Sequence, residues 1–184
     1  MKSPINCSLY WTRFTGSHGS MHLAATEAGL VFAGSWSDSF RELEAWMNIR
    51  CPGYTIVRDD KKLQPYTTAL EAFFLGARRS FTIPMDLRGT PFQRAVWDLL
   101  GSIPYGETRS YTDIAALLGR PASVRAVAAA IGANPALIFV PCHRVIGKNG
   151  SLTGYRGGLK MKEMLIRHEL TQSGMADLAQ KSGN

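Results

Sequence analysis

The sequence predicts an α/β chain: a small N-terminal α/β domain, residues 1–85, followed by a mostly helical C-terminal domain, residues 86–170, with a helix-turn-helix. Three observations predict it. Short apolar runs separated by Gly and Ser dominate the first eighty-odd residues, as strands do. Thr90-Pro91-Phe92-Gln93 then carries three helix-start signals at once: a capping threonine, proline at the first helical position and glutamine closing a capping box. Two short helical segments follow, split by the tight connector Arg120-Pro121-Ala122-Ser123.

Each element has its own local reason. Residues 21–25, 30–33 and 55–57 are the strand candidates. Residues 37–47 repeat Phe40, Leu43 and Met47 at helical spacing, and residues 65–75 place Leu70, Phe73 and Phe74 on one side before Gly76. The helix begun at Thr90 buries Phe92, Val96 and Leu99-Leu100, and Pro104-Tyr105-Gly106 breaks the chain after it. Ser110 caps a helix over 111–118 that stops at Gly119, and residues 124–131 form another that ends at Gly132. Residues 137–140 read as a short apolar strand, 147–158 as a Gly-rich loop, and 160–170 as a helix with Met161, Met164, Leu165 and His168 at helical spacing. The polar segment 171–184 is expected to be a flexible tail.

Composition narrows the function classes. With 45% hydrophobic and 19% charged residues in 184, the chain is ordinary for a globular protein. No run approaches about 18 consecutive apolar residues, so no membrane helix is expected. The N-terminal residues lack an apolar run behind Lys2, so no secretory signal is expected and a cytoplasmic location follows. Cys7, Cys51 and Cys142 are odd in number and far apart, which argues against a disulfide framework. The net charge of +7 is uneven: residues 86–170 hold 11 Lys/Arg against 6 Asp/Glu, residues 1–85 only 9 against 7. A basic C-terminal half is consistent with a polyanionic partner.

The chemistry concentrates around Cys142. A cysteine at the end of a buried strand is usually packing. Here His143 and Arg144 follow it, a base and a positive charge that favour thiolate, and a Gly-rich loop brings backbone groups within reach of a ligand. His143 need not touch the sulfur, because successive strand residues point apart; a bridging water is the alternative. Arg125-Ala126-Val127-Ala128-Ala129-Ala130 offers one cation on a face of methyl groups. Two readings stand: a tightly packed helix, or a recognition helix whose small side chains admit a nucleic-acid groove. Cys7, His18 and His22 match no common zinc spacing, and no metal is expected.

Pro141-Cys142-His143-Arg144-Val145-Ile146 resembles the active-site signature of the O6-alkylguanine-DNA alkyltransferases, the methylated-DNA–protein-cysteine methyltransferases. The likeness extends from about Gly89 to Glu169, with Tyr111, Arg125, Gly132-Ala133-Asn134-Pro135, Tyr155, Gly157-Gly158 and His168-Glu169 in order. The N-terminal half resembles the family only in length and coarse pattern. The resemblance implies that Cys142 accepts an alkyl group from O6 of guanine once per molecule, with no cofactor. It implies that His143 acts as base through a water while Glu169 fixes its tautomer. Arg125, on a helix whose Ala126 and Ala129 approach the DNA, would fill the gap left by a flipped nucleotide, and Tyr111 would contact the target phosphate and base. Asn134 would hold the turn before the signature, and Val145 and Tyr155 would line the guanine pocket. Arg156 stands beside Tyr155 at a position that varies in the family, so its pocket contact is open. The implied partner is double-stranded DNA carrying O6-alkylguanine, met by a monomer, with cooperative binding left open.

Three rivals are weaker. A damage-marking alkyltransferase-like protein lacks the acceptor cysteine, and Cys142 is present. A cysteine hydrolase needs turnover, and an adjacent Cys and His match no hydrolase signature. A plain helix-turn-helix regulator leaves Cys142, His143 and Glu169 without a role.

Overall fold

The computed structural model describes residues 7–37 and 39–174. The expectations about a secretory signal and about 175–184 of the tail lie outside the described residues. The predicted α/β class holds. A four-stranded sheet in the order β3-β2-β1-β4 forms the N-terminal part, from β1 (Ser8–Gly16), β2 (Gly19–Ala25), β3 (Leu30–Ala33) and β4 (Thr55–Arg58). Neighbours pair antiparallel except β1 with β4, which is parallel and reached through the crossover helix α1 (Phe40–Arg50).

Sequence reasoning missed β1, the longest strand, although Tyr10, Trp11, Thr12, Phe14 and Thr15 are all strong strand formers. It placed α1 three residues early at each end; the N-cap is Ser39. One sheet face puts Met21, Leu23 and Phe14 into a core shared with Leu70 and Phe73 of α2 (Gln64–Phe74) and with the C-terminal part. The other buries Leu9, Ala24, Val31 and Phe32 against Leu43 of α1.

The outer edge of β3 does not face solvent. Leu30 N–H donates to Pro84 O at 3.0 Å and Asp86 N–H to Leu30 O at 2.8 Å. Further along, Ala33 N–H donates to Pro135 O at 2.9 Å and Leu137 N–H to Ala33 O at 3.1 Å. The strand edge is therefore paired by the segment leaving the first half and by the turn before the cysteine signature.

The helical half begins at α3 (Pro91–Gly101), whose capping box forms as the sequence predicts: Gln93 N–H donates to Thr90 Oγ1 at 3.2 Å and Thr90 N–H to Gln93 Oε1 at 2.9 Å. Its buried residues are Val96, Trp97 and Leu100; Phe92 and Leu99 are only half-buried. α4 (Tyr111–Leu117) starts at a Ser110–Asp113 capping box, and α5 (Val124–Gly132) follows the Pro121–Ser123 3₁₀ turn. Trp97 Nε1 donates to Ala130 O at 2.8 Å, docking α3 on the back of α5.

One local expectation fails. Residues 137–140 are not a strand: Leu137 bridges to Val140, and Val140 N–H returns to Ala136 O at 3.0 Å, a tight turn. Ile138 has φ 74°, the only non-glycine residue with positive φ among the described residues, and a β-branched side chain resists that conformation. In the last helix, α6 (Leu159–Gln172), the buried positions are Met161, Lys162, Leu165 and Glu169, whereas Met164 and His168 are half-buried.

Candidate active site and nucleic-acid face

Cys142 opens a short 3₁₀ turn, Cys142–Arg144, that leads into β6 (Val145–Ile146), paired parallel with β5 (Arg109–Ser110). It is not the end of a strand, so the alternation expected between Cys142 and His143 does not apply. The turn is held by Asn134. Its Oδ1 accepts from Ala136 N–H at 2.9 Å, and its Nδ2 lies 3.0 Å from both Val140 O and Cys142 Sγ. One buried amide thus fixes the turn and points a donor at the sulfur. Burial raises the Cys142 pKa, offset in part by the Asn134 hydrogen bond and by the charges of Arg156 and Lys162. At rest the sulfur is a thiol, and its proton must leave as it reacts.

His143 is fully buried, with Nε2 2.8 Å from Glu169 Oε1. Burial raises the Glu169 pKa, but hydrogen bonds and charge from His143 and Arg144 outweigh this and bring it down to about 2. An ionised carboxylate can only accept, so Nε2 carries the imidazole proton and Nδ1 is the basic nitrogen. Nδ1 has no hydrogen-bond partner in the protein. Burial lowers the His143 pKa against the pull of Glu169, keeping the ring neutral. A neutral imidazole with an open Nδ1 can take a proton.

Arg144 does something other than expected. Its Nε and Nη2 reach Glu169 at 2.9–3.1 Å and Nη1 donates to Ile103 O at 2.6 Å, so its charge is committed to the carboxylate and not to the thiol. Gly106 N–H adds a fourth donor at 2.9 Å to Glu169 Oε2. The cation near the sulfur that sequence reasoning missed is Lys162. It is fully buried, donates to Thr153 O at 2.7 Å, and burial lowers its pKa to about 8. Its signal was the i, i+3, i+7 spacing of Lys162, Leu165 and Glu169, one face of α6.

An open cleft of about 590 Å³ lies between α4, α5 and the loop before α6, lined among others by Tyr111, Arg125, Ala128, Gly132, Tyr155 and Arg156. Of the predicted site residues, Tyr111, Arg125, Tyr155 and Arg156 share this wall. Ala126 and Ala129 are exposed on α5 but do not line it, while Ala128 and Gly132, which were not among the expected site residues, do. Cys142 and Val145 are buried and off the cleft surface. Tyr111 Oη donates to Thr153 O at 3.0 Å, and burial raises its pKa, so it remains a phenol able to donate. Tyr155 Oη is buried without a partner, its pKa pushed well up by burial. The guanidinium of Arg156 bridges the two halves: it pairs with Glu42 and donates to Ala33 O of the N-terminal half and to the carbonyls of Asn134 and Pro135 beside the cysteine turn. Among the described residues no group of His, Cys, Asp and Glu is placed to hold a metal; His18 packs against the rings of Trp36 and Phe74, and His22 against those of Trp11 and Phe40.

Two family profiles match the chain in tandem. The 6-O-methylguanine DNA methyltransferase, ribonuclease-like domain, matches residues 9–87, and the DNA binding domain of the same family matches residues 91–171. An inducible methylated-DNA–protein-cysteine methyltransferase of Bacillus subtilis is 51% identical over 171 residues, 93% of this chain and 96% of the relative. The chain belongs to the 6-O-methylguanine DNA methyltransferase family. A Methanosarcina acetivorans methylated-DNA–protein-cysteine methyltransferase is 40% identical over 88% of the chain and 98% of its own length. Among solved structures, Mycobacterium tuberculosis OGT in complex with DNA superposes with TM-score 0.76 at 37% identity, covering 89% of this chain and 94% of that one. The family likeness thus spans both halves, including the N-terminal half that the sequence motifs left unassigned.

Proposed function

We propose that this chain repairs DNA by taking the alkyl group from O6 of alkylguanine in duplex DNA onto Cys142, irreversibly and once per molecule. The observation that carries the reading is the buried relay in which Glu169 fixes His143 with Nδ1 open, beside a thiol oriented by Asn134. Residues 86–170 act as the DNA-binding and reactive domain on a scaffold of residues 1–85, as a monomer in the cytoplasm.

The chemistry follows from the groups present. A stacked guanine cannot be attacked in line by a protein sulfur, so the nucleotide is flipped into the cleft at a cost of a few kcal/mol. Arg125, exposed on α5 at the cleft, fills the gap in the stack, and Ala126 and Ala129 let the helix approach the groove. The Cys142 proton passes through a water to His143 Nδ1 as sulfur attacks the alkyl carbon. The S–C bond forms, the C–O6 bond breaks, and guanine leaves with the bonding electrons. The Tyr111 hydroxyl, released from Thr153 O, donates to the departing base, while Lys162 opposes the developing negative charge. Tyr155 and Val145 border the guanine, with Asn134 fixing the turn between α5 and Cys142. The thioether product has no group placed to remove the carbon, so the protein is consumed.

Intact-protein mass after incubation with a duplex holding one O6-methylguanine tests this. The expected result is a gain of one methylene unit, mapped to Cys142 and saturating at one per chain. Tight lesion binding without a mass change would instead make this a damage-marking protein. The flipping role has its own check: Arg125→Ala is expected to slow repair of duplex DNA by about 100-fold while leaving reaction with free O6-benzylguanine within about twofold of wild type, a stacking arginine having no work to do on a free base. Equal losses on both substrates would remove Arg125 from that step.

A further inference from the structure

Arg156 and Glu42 belong to different halves of the chain, 114 residues apart, and form an ion pair in which each side chain is 24% exposed. Both are held on their far sides as well. Glu42 Oε2 accepts from Ser35 N–H and Ser35 Oγ, each at 2.8 Å. A Cβ at position 34 would lie 3.0 Å from that oxygen, so Gly34 makes room for it. Arg156 lies over the Phe32 ring at 5.1 Å and donates to Ala33 O at 2.7 Å, Pro135 O at 3.0 Å and Asn134 O at 3.1 Å. Asn134 in turn directs Nδ2 at Cys142 Sγ. The path from Glu42 to the sulfur therefore has two intervening residues, each fixed by hydrogen bonds.

We propose that Glu42, on the first helix of the N-terminal half, is a positioning residue for alkyl transfer: it anchors Arg156, which locks the Asn134 turn and the adjoining Tyr155 wall in register with Cys142. The inference rests on Cys142 being the alkyl acceptor. Three neutral carbonyls do not balance a guanidinium. Without the carboxylate, Arg156 is freer to swing to solvent or to a DNA phosphate, and the Asn134 carbonyl loses its charged donor. The N-terminal half then supplies part of the reactive geometry rather than bulk alone.

The test uses the full chain with free O6-benzylguanine over a range of concentrations, reading the limiting rate, the half-saturating concentration and the mass on Cys142. Glu42→Gln is expected to lower the limiting rate about tenfold, the scale at which slight misplacement of reacting groups acts. Glu44→Gln, exposed on the same helix, is expected to react as wild type. Leu43→Val, buried on that helix, should lower the melting temperature at least as much with no loss of limiting rate. Arg156→Lys should also be slow, and adding Glu42→Gln to it should cost little more, because both changes break one link. A wild-type rate in Glu42→Gln, a loss that Leu43→Val reproduces, or independent effects of the two substitutions would overturn the proposal. Failure of the wild-type protein to gain mass on Cys142 would instead sink the reading on which it rests.

Discussion

Cys142→Ser is expected to bind alkylated duplex about as tightly as wild type and to gain no mass from it. The hydroxyl fits where the thiol sits and can still accept from Asn134 Nδ2, so the turn survives. What is lost is nucleophilicity: a serine with only a neutral imidazole as base should react with an alkyl ether more than about a thousandfold slower, the scale on which removing a nucleophile acts. Mass spectrometry after hours of incubation reads the difference directly. A gain that persisted in this variant would place the acceptor on another thiol. The alternatives differ in setting: Cys51 is buried in the α1-side core beside Arg88, and Cys7 stands just before β1.

Glu169→Gln carries the second largest expected effect, and it acts on stability and reaction together. The buried carboxylate accepts from His143, from the Arg144 fork and from the part-buried Gly106 N–H. The amide leaves Arg144 as an uncompensated buried cation, a loss of about 3–5 kcal/mol when one partner of such a pair is removed. It can also present an N–H to Nε2, turning the imidazole to the tautomer whose open nitrogen faces the wrong way. Both a lower melting temperature and a slower reaction are therefore expected.

The pH dependence separates this from a general loss of packing. The folded pKa of Glu169, about 2, lies below the ordinary 4.5, so its stabilisation is complete above the ordinary value and is lost as pH falls toward 2. Denaturation of wild type and Glu169→Gln should then differ most near neutrality and converge by about 3 kcal/mol between pH 5 and pH 2. A stability gap that stays constant on acidification would show that the charge is not what the core depends on.

What could be read from the sequence was what is local. The Thr90 and Ser110 caps, the connector at Pro121 and the glycine stops each depend on a few neighbouring residues and an elementary backbone rule. The 137–140 segment misled because four apolar residues in a row suit a buried turn as well as a strand, and periodicity cannot separate them. His143 and Glu169 were recognised through a family motif; nothing in their spacing of 26 residues announced a hydrogen bond. For Arg144, adjacency to the thiol is visible in the sequence and its true partner on α6 is not. Lys162 is hidden because a lysine on a helix ordinarily marks the wet face. Glu42 could not be found at all without the fold, since its partner is in the other half.

The pairing along β3 has a further consequence for how the molecule can be divided. Its Leu30 and Ala33 amides are satisfied by Pro84 and Pro135, and all four of its residues are buried. The first half cut off at residue 83 would lose both partners and turn an apolar strand with bare hydrogen-bonding groups toward the medium, the kind of surface that recruits strands from other copies. Two sequence domains are thus one unit of solubility: the segment that carries the reactive cysteine also seals the sheet of its scaffold.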